Sequence, residues 1–199
     1  MNEAYELNVV NEWIDKAVGK WQRQQDGSIM VEIPQVVVDA VTQWVAVVWE
    51  KRKGKRLWRN DNEDYTRHVA GTLGEIAACV ILSKTEYSNE VLHPDWSIFE
   101  SNTAYRDSDI GNYSVKTCRM RSDWSWIAEK GDCITRKSCG QPIVLMRADG
   151  FIRMYMLGVW LPRDLYPYWR EPFARHLKDG KAALYYSDIK NVQKYHPEV

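Results

Sequence analysis

With 199 residues and 45% hydrophobic content, the chain can bury one good core, and one domain with elaborations is the default expectation. Lys plus Arg and Asp plus Glu both number 27, so net charge is zero and any attraction to nucleic acid must be local rather than global. The four cysteines form no Cys-x-x-Cys pair, the four histidines are scattered, and the longest apolar run, Val36 to Trp49, is broken by Asp39, Thr42 and Gln43. A disulfide framework, a zinc site and a membrane span are each disfavoured, and free thiols in a reducing cytoplasm are expected. Ten Trp and eleven Tyr against three Phe supply aromatic groups with a polar handle, suited to half-wet surfaces as well as to a core.

Residues 4 to 23 place Val10, Trp13, Ile14, Ala17 and Trp21 on one stripe, which predicts an amphipathic helix stopped by Asp26-Gly27. Ile29 to Ile33 reads as a short extended piece. Pro34 suits the first turn of a second helix, and the polar residues of the valine-rich run after it recur at helical spacing. That helix runs into Lys51, Arg52, Lys53, Lys55, Arg56 and Arg59, six basic residues within nine positions and with Trp58 among them. Such a run is either a solvated face or a phosphate-contacting loop.

After the acidic link Asp61 to Asp64, a third helix is predicted over Thr66 to Lys84, with Val69, Leu73, Ile76 and Val80 as its core stripe. Glu75 is the only carboxylate between Arg67 and Lys84, and Gly71, Thr72, Ala78 and Cys79 around it are small or uncharged. A face of small side chains lets another element approach closely, and a carboxylate there needs a partner such as a cation. The ordinary alternative is a helix charge favoured by the macrodipole.

Trp96 to Phe99 reads as extended, followed by an acidic turn, Asp107 to Asn112, that feeds a strand rich in β-branched and aromatic types, Tyr113 to Cys118. Alternation puts Ser114, Lys116 and Cys118 on one face and Tyr113, Val115 and Thr117 on the other. Lys116 then points at whatever Asp109 sits beside, either as a site or as a solvated surface pair. Further strands are predicted over Ser125 to Ala128, with Glu129 at its end, and over Pro142 to Arg147 and Phe151 to Leu157, joined by the hairpin signal Asp149-Gly150. An irregular or helical stretch, Arg163 to Lys178, precedes a last strand, Ala182 to Tyr186. Helices first and strands after predict an α+β fold with an α/β-like core and a mixed central sheet. The expected division is a helical elaboration with a basic loop over 1–64 and a core over 65–199, together one compact domain.

Gly74-Glu75-Ile76-Ala77, Asp107-Ser108-Asp109-Ile110 and Ser114-Val115-Lys116-Thr117 together resemble the PD-(D/E)XK nuclease superfamily, and Trp124-Ser125-Trp126 with the closing run of strands, Pro142 to Tyr186, is similar in layout to small members encoded by bacteriophages. The resemblance covers roughly residues 65 to 190 and implies a restriction-endonuclease-like sheet flanked by helices. It also implies an Mg²⁺- or Mn²⁺-dependent deoxyribonuclease, an endonuclease working in the cytoplasm of a phage's host. Asp109 would be the principal metal ligand, with Glu75 and the Val115 carbonyl beside it and Lys116 as the catalytic cation. DNA is the implied partner, with a homodimer or a host protein as a further one, and Lys51 to Arg59, Arg119 and Arg121 would grip its phosphates.

One departure stands out. The superfamily's second acid normally lies two residues before the lysine, where this chain has Ser114. Either a nearby acid substitutes, with Glu129, Asp107 and Asp123 as the candidates in that order, or the fold is kept as a non-catalytic module that binds nucleic acid or a host protein. Asp95, in a literal Pro-Asp, competes with Asp109 for the motif. Asp109 is preferred because it lies seven residues before Lys116 and the turn at Gly111-Asn112 can fold it back.

Overall fold

The computed structural model describes residues 3–52, 61–96, 109–119, 126–129, 140–173 and 180–197. Helix α1 covers Glu3–Ala17, strand β1 Gln22–Arg23, β2 Ile29–Glu32, α2 Gln35–Arg52, α3 Asp61–Leu82 and β3 Ser114–Arg119. Then come β4 (Trp126–Glu129), β5 (Ile143–Asp149), β6 (Arg153–Trp160), α4 (Pro162–Leu165), a 3₁₀ turn (Tyr166–Tyr168), β7 (Lys181–Leu184) and α5 (Tyr186–Ile189). The fold is α+β, as the sequence predicts.

Two helix boundaries differ from expectation. α1 ends at Ala17, not near Asp26, because Val18 and Gly19 turn the chain, and Gln22–Arg23 then pairs with Ile29–Met30 as a hairpin. Asp26 Oδ1 closes that hairpin by accepting from the Ser28 N–H (3.0 Å) and hydroxyl (2.6 Å). α3 begins at Asp61, so the acidic residues read as a link fall in its first turn.

The central sheet has five strands in the order β1-β2-β6-β5-β3, and β3 is its edge among the described residues. β3 runs parallel to β5, and every other pairing is antiparallel. The two faces are covered differently. Val115, Val144, Met146, Met154 and Val159 pack with Val10, Ile14, Val37, Val41, Leu73 and Ile76 of the three long helices in the larger core. On the other face, Ile143, Leu145, Leu157 and Trp160 pack with Trp126, Leu165, Leu184 and Ile189, under a separate two-stranded sheet of β4 and β7. The last strand therefore caps the central sheet rather than extending it.

Gly158 marks how tightly that second layer is packed. At φ +157, an added Cβ would lie 2.7 and 3.0 Å from ring carbons of Trp160 and 2.8 Å from Lys194 Cε. Trp160 is fully buried, with its indole N–H donating to the Val192 carbonyl at 3.2 Å, and cannot swing away. Gly158→Ala is expected to lower the unfolding free energy by about 2–3 kcal/mol in a urea melt.

Candidate active site at the sheet edge

The site is built on the tight turn that leads into β3. Asp109 N–H and Ile110 N–H both donate to the Tyr113 carbonyl (2.9 and 3.2 Å), and Tyr113 N–H returns a bond to Ile110 at 2.8 Å. Gly111 supplies the positive φ of +48 that the reversal needs. The turn folds Asp109 back on the strand, as expected from Gly111-Asn112.

Three donors then converge on Asp109 Oδ2: the Val115 backbone N–H at 2.6 Å, the Ser114 hydroxyl at 3.2 Å and Lys116 Nζ at 3.2 Å. Ser114 N–H goes the other way, to the Pro142 carbonyl at 3.0 Å. Asp109 thus occupies the place that a neighbouring strand's carbonyl would take at the free edge of β3. The N–H and C=O of one strand residue point the same way, so the Val115 carbonyl also faces this open side. The Asp109–Lys116 pair is largely shielded, with side-chain exposures of 20% and 25%, unlike a surface ion pair.

Glu75 arrives from the other side of the sheet. Gly74 of α3 sits so close to β3 that an added Cβ would stand 3.0 Å from Thr117 Cβ and would overlap its Oγ1. The small face around Glu75 does admit a neighbour, but through Gly74; an added Cβ at Gly71 would meet nothing within 4 Å. Thr117 alternates with Lys116, so helix α3 covers the face opposite to the lysine stem, and Glu75 feels Asp109 and Lys116 electrostatically. Burial, then the charge of Asp109, push the Glu75 carboxyl up to about 8, with Lys116 pulling the other way. Two carboxylates and one ammonium leave this electrostatic cluster one negative charge in excess. A proton on Glu75 or a cation between the acids relieves it.

The raised value carries a stability signature. The folded protein holds this proton where the unfolded chain has released it, so the stabilisation is complete below pH 4.5 and is lost as pH rises towards about 8. Relative to Glu75→Gln, the wild type is expected to lose on the order of 2 kcal/mol across that window, a figure reduced by the residue's partial solvent access. Chemical denaturation of both proteins at a series of pH values reads it; parallel curves would contradict it.

The remaining expected residues are placed as follows. Arg119 is exposed at the end of β3. Lys51 and Arg52 end α2, while Lys53, Lys55, Arg56, Arg59, Asp107, Arg121 and Asp123 lie outside the described residues. Glu129 ends β4 opposite Lys181 in the second sheet, and the described side chains do not include it. Asp95 is a backbone neighbour of Asp109, donating its N–H to the Asp109 carbonyl at 3.4 Å, while Asp109 carries the carboxylate that meets Lys116. Ser114 is 3% exposed, so the face it shares with Lys116 and Cys118 is not open but lies under the second layer. Its hydroxyl and the Val115 N–H both donate to Asp109, contacts that the sequence pattern does not reveal. Cys79 and Cys118 are buried free thiols.

Among the described residues, no three His, Cys, Asp or Glu side chains gather as a metal-binding group. Two carboxylates and an outward carbonyl do fit Mg²⁺ or Mn²⁺, which is bound by one or two carboxylates and completes its octahedron with water. No family model, curated protein or solved structure matches the chain.

Proposed function

We propose that this protein is a metal-dependent nuclease that hydrolyses phosphodiester bonds of DNA, with Glu75, Asp109 and Lys116 as its catalytic residues. One observation carries the reading: a shielded aspartate fixed by three donors, one of them a lysine, with a second carboxylate drawn into the same electrostatic cluster from a helix. Asp109 and Glu75, with the Val115 carbonyl, would hold Mg²⁺ or Mn²⁺. Bound there, such an ion supplies Lewis acidity towards a phosphate oxygen and makes water a stronger acid. Lys116 is a fixed cation beside the position where negative charge grows on phosphorus, and its ion pair to Asp109 holds it there before substrate arrives. Ser114 stands where the second acid is expected and does a different task, positioning Asp109. Glu75 supplies the second carboxylate instead, and it must give up its proton when the cation binds.

Incubation with supercoiled plasmid tests this. Nicked or linear product that needs Mg²⁺ or Mn²⁺ and disappears with EDTA is the expected result. The buried Ser114 hydroxyl favours one alternative, a nuclease-fold module that binds nucleic acid or a host protein without cutting. DNA binding with no cleavage in either metal would select that module.

A further inference from the structure

Arg147 is a lone cation in the otherwise apolar, buried run Ile143 to Ala148 of β5, and its Nε is buried with no hydrogen-bond partner. A buried donor left without an acceptor is uncommon and calls for an explanation. The neighbour of Arg147 on β3 is Cys118, and burial pushes that thiol up while Arg147 pulls the other way. The thiol therefore stays neutral and does not balance the guanidinium. Arg147 lines an open cavity of about 590 Å³ together with Asp26, Tyr186, Lys190 and Lys194. Asp26, the one acid in that lining, already accepts the Ser28 N–H and hydroxyl. Among the described residues, no ion pair joins Arg147, Lys190 or Lys194 to an acid. Three cations against one carboxylate leave the cavity two positive charges in excess. Burial, and then the like charge of Arg23, hold the Lys194 ammonium below its usual range, with Asp26 pulling the other way.

We propose that this cavity binds a small phosphate monoester, its dianionic phosphate seated among Arg147, Lys190 and Lys194. Charge complementarity selects the phosphate. A monoester carries a charge of about −1.5 to −2 at neutral pH, which matches an excess of two, whereas a carboxylate would offset only half of it. A guanidinium is also the side chain best matched to a phosphate's oxygens, and the lysines add point charges beside it. Size selects the ester over the free ion. The cavity falls within the range of about 300–1,000 Å³ typical of small-molecule sites and is roomier than a phosphate group needs. The Tyr186 ring, whose centroid lies 6.0 Å from the guanidinium, gives the organic part of the ester an apolar wall. None of Glu75, Asp109 and Lys116 lines this cavity, so its occupancy does not depend on the nuclease reading.

The test is isothermal titration calorimetry at neutral pH and constant ionic strength, with phenyl phosphate, inorganic phosphate and acetate, on the wild type, Arg147→Met and Lys190→Ala. Phenyl phosphate is expected to bind the wild type at one site, more tightly than inorganic phosphate and at least about tenfold more tightly than acetate. Arg147→Met should lower its affinity at least about tenfold and Lys190→Ala about threefold. Lys190 is exposed, so its variant stays informative if Arg147→Met fails to fold. No binding of phenyl phosphate to the wild type, or undiminished binding in the variants, would overturn the site. Acetate as tight as the phosphates would overturn the dianion, and inorganic phosphate tighter than the ester would overturn the ester as occupant. Lys190→Ala should bind a labelled DNA oligonucleotide as the wild type does; weaker DNA binding with unchanged phenyl phosphate binding would overturn the small ligand. Phenyl phosphate binding that depends on Arg147, in a protein that cuts no DNA, would uphold the site and count only against the nuclease.

Discussion

Asp109→Ala is expected to abolish metal-dependent plasmid cleavage, with a loss of at least about 10³-fold, and Lys116→Ala to slow it by about 10²–10³-fold. The two losses differ in kind. Asp109 is the anchor on which the Val115 N–H, the Ser114 hydroxyl and Lys116 converge, so on the proposed mechanism its removal would take away a metal ligand and free the lysine together. On the proposed mechanism Lys116 would contribute a single positive charge where the transition state becomes more negative, so its loss should fall on the rate and leave oligonucleotide affinity in EDTA within a few-fold of wild type. Activity that survives both substitutions would mean that the cutting site is elsewhere or that the preparation is contaminated.

The second large effect is structural and reaches the site through packing. Gly74→Ala is expected to cost about 2–3 kcal/mol of stability and to remove most of the cleavage activity, although Gly74 carries no chemistry. Its new methyl group would press on Thr117, whose branched Cβ leaves it few rotamers to escape into. Helix α3 would have to lift from β3, drawing Glu75 away from Asp109 and Lys116. Thr117→Ala clears the space, so the double variant Gly74→Ala/Thr117→Ala should recover at least about 1 kcal/mol relative to the sum of the single changes. Additive effects in a double-mutant cycle would show that this contact does not set the helix position.

Local patterns carried much of the fold in the sequence. The helical stripe Val69, Leu73, Ile76, Val80 became α3, and Asp149-Gly150 became the β5–β6 hairpin, because each depends on neighbours close in the chain. β1 was not legible, since two residues have no periodicity and that strand exists through the Asp26–Ser28 hydrogen bonds and its pairing with β2. Nor was the pairing of β7 with β4 in a second layer, which depends on contacts across more than fifty residues. At the site, Gly111-Asn112 was enough to expect that Asp109 folds back onto Lys116. That Ser114 would donate to Asp109 was hidden, because a hydroxyl in a strand gives no sign of its partner.

The central claim is that two acids from distant parts of the chain share one divalent ion at the edge of β3. A crystal soaked in Mn²⁺ and measured for anomalous scattering addresses it most directly. A single strong peak about 2.2 Å from a carboxylate oxygen of both Asp109 and Glu75, with the Val115 carbonyl beside it, is the expected result. Saturating Mn²⁺ with no peak between those two residues, or with Glu75 turned out to bulk water, would contradict it.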